Sequence, residues 1–171
     1  GFGEFITAIG ASNCRTVDSC LHDKANPFRA SDPAGVTFRS DCADLPYVLR
    51  FYYAWKRGLP FSYVAEVAAR GRSRDIRYTA KGNSVAARRD VPSGADALKV
   101  LATLRDVISS ATYRIHPALE TPLESDFYSP ALTPAAIGPG TVIYDPNGHL
   151  ALIWRIEADG RIHYIDAHPD N

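Results

Sequence analysis

Residues 41–58 read Asp41-Cys42-Ala43-Asp44-Leu45-Pro46-Tyr47-Val48-Leu49-Arg50-Phe51-Tyr52-Tyr53-Ala54-Trp55-Lys56-Arg57-Gly58. Leu45, Val48, Leu49, Tyr52 and Trp55 recur at spacings of three and four, which predicts a helix with one apolar face. Gly58 and Pro60 end it. Pro46 lacks an N–H and is tolerated only in the first turn, so the helix is expected to start close to Asp41-Cys42. The stretch therefore joins a core helix to a cysteine at its beginning.

Working outward, a second helix is expected from about Ala95 to Thr112. Ser93 with Asp96 reads as a capping box, and Leu98, Leu101, Leu104 or Arg105, Ile108 and Ala111 form the buried face. Between the helices, Ile76–Thr79 and Ser84–Ala87 flank Lys81-Gly82-Asn83 and read as a polar hairpin. Five prolines between residues 117 and 140 (117, 122, 130, 134 and 139) predict an extended, loop-rich connection. The last thirty residues read as a β-meander. Strands at Thr141–Tyr144, His149–Ile156 and Arg161–Ala167 are separated by Asp145-Pro146-Asn147-Gly148 and Ala158-Asp159-Gly160, both turn sequences. Residues 1–40 are rich in Asn, Asp, Ser and Gly and read as an irregular segment. The class is α+β, in one domain spanning residues 1–171.

The chain has 171 residues, with 19 Lys+Arg against 19 Asp+Glu. Zero net charge argues against a nucleic-acid partner and against electrostatic membrane binding. No apolar run is long enough to cross a bilayer, so membrane insertion is not expected. There is no methionine, which reads as a processed or excised piece, and Gly1 to Gly10 carries no signal-like pattern. Three cysteines leave an odd thiol if any two pair. Cys14 and Cys20 can close a short loop as a disulfide or stand as two separate buried thiols. A zinc set of Cys14, Cys20 and His22 lacks the usual spacing.

Cys42 is the candidate nucleophile. Helix-start N–H groups and the positive dipole end favour a thiolate, and the same groups around Asp41 and Ala43 can hold an oxyanion. The bland alternative is a small buried hydrophobe. A nucleophilic cysteine needs a base, and His149 opens a strand directly after a tight turn, at the sheet edge. His22 and His116 have no such context. The base needs an orienter, and Asp166 interrupts an otherwise apolar strand, where an unpaired acid is costly. Strand parity puts Asp166 and His163 on opposite faces, so only one of them shares the face of His149. His149, His163, His168 and Asp166 lie close in sequence but form no recognisable metal motif, and neither a metal nor a cofactor is expected.

Three segments together resemble the NlpC cell-wall peptidases and the related CHAP amidohydrolases. Asp41-Cys42-Ala43-Asp44-Leu45 is similar to the Asp-Cys-Ser-Gly-Leu run that opens the NlpC nucleophile helix. Ile137-Gly138-Pro139-Gly140-Thr141-Val142-Ile143-Tyr144 is similar to the Pro-Gly-Asp-Leu-Val segment, and Gly148-His149-Leu150-Ala151-Leu152-Ile153 to Gly-His-Val-Ala-Ile-Val. The order matches over residues 41 to 166, with the middle unmatched. The resemblance implies a papain-like core, with a nucleophile helix packed on a small antiparallel sheet and an insert at about 60–136. It implies Cys42 as nucleophile, His149 as base, and Asp166 (CHAP-like) or His163 (NlpC-like) as third member. It also implies a cell-wall peptide substrate and a secreted or periplasmic bacterial location. Ala43-Asp44 departs from the family's small Ser-Gly pair. Alternatives are a transglutaminase-like acyl transferase or peptidase with a Cys-His-Asp set, and a peptide-binding module without activity.

Overall fold

A computed structural model of the chain describes residues 1–116 and 124–168. The order is α1 (Phe2–Gly10), α2 (Val17–His22), α3 (Leu45–Arg57), β1 (Phe61–Ala69), β2 (Asn83–Val91), α4 (Ala97–Val107), β3 (Val142–Tyr144), β4 (Leu150–Ile156) and β5 (Ile162–Ile165), with single 3-10 turns at Arg29–Ser31, Ile76–Tyr78 and Ser110–Tyr113. Strands β1 and β2 form an antiparallel pair, and β3-β4-β5 form a three-stranded antiparallel sheet. The architecture is α+β, with the expected C-terminal meander.

Helix α3 lies at the centre. Leu45, Tyr47, Val48, Leu49, Phe51, Tyr52 and Ala54 are all buried. The expected apolar face of Leu45, Val48, Leu49 and Tyr52 is buried, and Tyr47, Phe51 and Ala54 widen it, while Arg50 and Arg57 stay exposed. It starts at Leu45, later than expected, with Pro46 in the first turn, and Gly58 closes it in the left-handed conformation at φ 62°. Its buried phenol, Tyr52, needs partners. The Tyr52 hydroxyl lies 2.8 Å from Asn26 Nδ2, which donates to it, and 3.0 Å from the Asp32 carboxylate. Lys56 closes the set at 2.7 Å from Asp32, with both side chains buried.

The N-terminal segment is not irregular. Phe5, Ile6 and Ile9 recur at helical spacing and are buried on α1. Turn-prone Gly1, Gly3 and Gly10 hide that period, yet Gly10 has a packing reason: a Cβ there would stand 2.3 Å from Trp154 Cγ. Thr7 Oγ1 donates to the Trp154 carbonyl at 3.0 Å, where the β4–β5 register shifts between Ile153 and Arg155. Thus α1 packs on β4 of the three-stranded sheet, while Leu45 and Leu49 of α3 line one cleft with Tyr164 and Ile165 of β5 and share a core with Leu152 of β4.

The middle of the chain also differs from its reading. Ile76–Tyr78 is a 3-10 turn, and the hairpin is the longer β1–β2 pair. Asn83, expected in a turn, is fully buried at the start of β2. Its Nδ2 donates to the Ile76 and Ala111 carbonyls at 2.8 and 2.9 Å, and its Oδ1 accepts from Thr79 at 2.9 Å. Helix α4 is shorter than expected. Asp96, not Ser93, caps it by accepting from the Leu98 and Lys99 N–H groups, and Leu98 points outward. Tyr63, Leu101, Leu104 and Ile108 join the same core as α1 and α3. Pro117 and Pro122 lie outside the described residues; from Glu124 to Thr141 there is no regular strand or helix.

Gly10→Ala is expected to lower stability. Alanine favours the helix by up to about 1 kcal/mol, but the clash falls on Trp154 Cβ and Cγ, near the backbone, where overpacking costs about 1–3 kcal/mol. Urea unfolding of both proteins checks the sign.

Candidate active site

Cys42 sits in the turn that leads into α3, not inside the helix. Asp41 organises this turn. Its Oδ1 accepts from the Ala43 N–H at 2.7 Å and the Asp44 N–H at 3.1 Å, and its carbonyl accepts from the Leu45 N–H at 3.1 Å. The helix-start donors expected to serve an oxyanion at Ala43 are therefore spent on a carboxylate. Asp44 returns the favour, its Oδ1 accepting from the Asp41 N–H at 2.9 Å. Tyr113 donates its hydroxyl to the Ala43 carbonyl at 2.6 Å, which pins the other side of the turn.

The electrostatics of the sulfur run against the expectation of a thiolate stabilised at a helix start. Burial pushes the Cys42 thiol up, and the Asp41 and Asp44 charges push it further; the Leu150 N–H and the Cys42 N–H act the other way. At rest Cys42 is a thiol, so it needs a base to become a nucleophile. Asp44 is almost fully buried, and desolvation, with the Asp41 charge second, raises its carboxyl from 3.8 to about 7.

The Leu150 N–H that faces the sulfur belongs to the residue after His149. The turn Asp145–Gly148 delivers that residue: Asp145 Oδ1 accepts from the Asn147 N–H at 2.8 Å, the Gly148 N–H donates to the Asp145 carbonyl at 2.7 Å, and Gly148 takes φ 99°. His149 Nε2 lies 2.9 Å from Asp166 Oδ2. The strand register explains the pairing. Leu152 faces Ile165 and Ile153 faces Tyr164, so Asp166, one place further on, falls on the face of Ala151 and His149. His163 faces Arg155 beyond the register shift, and its Nε2 lies 3.1 Å from Glu157 Oε1, against the Trp154 ring. His149 is thus paired with Asp166, and His163 is engaged elsewhere. His168, which had drawn no separate role, stacks on His149 with ring centres 5.2 Å apart and approaches Asp166 Oδ2 at 3.8 Å.

Cys14 and Cys20 form a disulfide, which leaves Cys42 as the free cysteine. His22 Nδ1 is 2.9 Å from the Asp18 carbonyl. A cleft of about 250 Å³ runs from the disulfide past Arg15, Ser40 and Leu45 to Tyr164 and Asp166. Among the described residues no helix is long and apolar enough to cross a membrane. Neither a protein-family model, nor a curated protein, nor a solved structure matches the chain.

The raised Asp44 carboxyl has a consequence for stability. Unfolded, it titrates near 3.8; folded, near 7. Between these values the folded state holds the extra proton, so stability falls as pH rises from about 4 to 7 and is level above. At ~1.4 kcal/mol per unit the total is at most a few kcal/mol. Asp44→Asn keeps an acceptor for the Asp41 N–H and is expected to remove this fall. Urea unfolding at pH 5 and pH 8 measures it; an unchanged difference between the two pH values would refute the assignment.

Proposed function

We propose that the protein is a cysteine-dependent amide hydrolase of papain-like type, acting on bacterial cell-wall peptides. The observation that carries this reading is the His149–Asp166 pair at 2.9 Å, on the strand start whose next N–H faces the free thiol of Cys42.

The steps follow from the groups present. Asp166 accepts from His149 Nε2–H, which leaves the lone pair on Nδ1. Nδ1 takes the Cys42 proton as the sulfur attacks the amide carbonyl. The developing oxyanion has the Cys42 N–H as its donor at the turn, since Asp41 holds those of Ala43 and Asp44. The C–N bond breaks, His149 returns the proton to the leaving amine, and a thioester remains. Water, deprotonated by the same imidazole, cleaves the thioester and regenerates the thiol. A thiol held in its neutral form suits this general-base route better than a preformed thiolate–imidazolium pair.

The cleft beside Asp166 supports a peptide substrate. At about 250 Å³ it is smaller than a drug-sized site and has room for a substrate side chain beside Arg15 and Asp166; Cys42 and His149 are not among the residues that line it. The ordered resemblance to NlpC and CHAP segments points to cell-wall peptides. The disulfide supports a secreted or periplasmic location, because such bonds persist in oxidising compartments. A second reading, peptide binding without turnover, draws on the sulfur, which burial and two carboxylates all hold toward the inert thiol.

Release of amines from muropeptides tests the proposal. Cys42→Ala is expected to abolish hydrolysis, and His149→Ala to lower kcat by about 100-fold or more. Asp166→Ala should lower kcat by at least about tenfold, with His163→Ala near wild type. Peptide binding with no release by the wild-type chain would favour the second reading. Equal rates in wild type and His149→Ala would refute the first.

A further inference from the structure

We propose that His149, Asp166 and His168 form a binding site for a zinc-type divalent cation, and that its occupation switches the cysteine site off. One donor atom from each residue lies within 4.8 Å of the other two. Asp166 Oδ2 stands 2.9 Å from His149 Nε2 and 3.8 Å from His168 Nε2. Two ligands on a tetrahedral zinc, each about 2.0–2.1 Å from the ion, are about 3.3 Å apart. The two observed separations bracket that value and the two imidazoles lie within 4.8 Å of each other, so rotation of the rings is what brings all three donors onto one ion. His168 is free to make them, since its side chain is 64% exposed.

The donor chemistry selects the ion. Two imidazoles and one carboxylate suit zinc and its borderline neighbours rather than calcium or magnesium, which prefer oxygen throughout. Both ion pairs found for Asp166 are to these histidines, and no Lys or Arg is paired with it among the described residues. The backbone fixes the arrangement: His149 precedes β4 and His168 follows β5, and their rings already stack at 23°. Three protein ligands leave a fourth position for water or a substrate atom.

The effect on catalysis rests on the proposed hydrolase reading. In the resting tautomer, His149 Nε2–H donates to Asp166 and Nδ1 is the base. A metal–nitrogen bond at Nε2 requires that nitrogen's lone pair, so the ring proton moves through water to Nδ1. No proton is lost overall, but Nδ1 now carries N–H and cannot accept the Cys42 proton. The cation also takes Asp166 away as orienter. Occupation therefore removes base and orienter together, reversibly.

Calorimetric titration of the full chain with zinc chloride tests the site without any turnover, so loss of metal binding and loss of hydrolysis are separate results. One equivalent is expected to bind the wild type. His168→Ala should weaken binding by about tenfold or more, while His163→Ala and Cys42→Ser stay within about twofold. Cobalt(II) substitution should show the visible bands of a four-coordinate nitrogen and oxygen site, absent in His168→Ala. No saturable binding, equal affinity in His168→Ala, or abolition by Cys42→Ser would each overturn the proposal.

Discussion

The burial of α3 is the constraint on which the other elements depend. A helix carrying Leu45, Tyr47, Val48, Leu49, Phe51, Tyr52 and Ala54 cannot leave a broad face in water, so neighbours must close around it. Helix α1 and the N-terminal segment take one side, with Phe5 stacked on Tyr52 at 5.9 Å. Strand β1 takes another, with Phe61 edge-on to Phe51 at 5.1 Å. Polar atoms trapped by this arrangement are satisfied in place. Tyr52 reaches Asn26 and Asp32, and Tyr47 donates to Asp126 at 2.8 Å, itself bound to Arg88 at 2.7 Å. Breaking any one of these pairs would strand a buried charge or hydroxyl, which costs more than the pair contributes when intact.

The same constraint positions the candidate site. The buried helix needs a defined start, and Asp41 supplies it by capping the turn that carries Cys42. The cost is electrostatic: two carboxylates beside the sulfur oppose ionisation, and one of them, Asp44, is itself buried enough to hold its proton to about pH 7. The sheet supplies the counterpart. Register along β4 and β5 places Asp166 on the face of His149, and the Gly148 turn brings the strand start to the Cys42 side.

Much of this was legible in sequence where local signals agreed with the fold. The meander, the Asp145–Gly148 turn and the Gly58 stop follow from period and turn chemistry; parity put Asp166 and His163 on opposite faces, and only the β4–β5 register tells which of them His149 shares. Helix α1 was hidden because its glycines look like turn formers, though Gly10 is small for the sake of Trp154. Strand β2 was misplaced because Asn83 resembles a hairpin residue, while its amide is consumed by three internal partners. The donors at Asp41 and Ala43 looked free because helix starts leave N–H groups unpaired; only the fold reveals that the Asp44 and Asp41 carboxyl groups take them. His168 carried no signal by itself, since its partnership arises from strand pairing beyond the end of β5.

The central claim is that His149 is the base for Cys42. It is tested most directly by the rate of Cys42 alkylation by iodoacetamide between about pH 5 and 9. The account predicts that the wild-type profile contains an early step that His149→Ala loses, leaving a single late rise from a thiol pushed upward by burial. Superimposable profiles for the two proteins would contradict it.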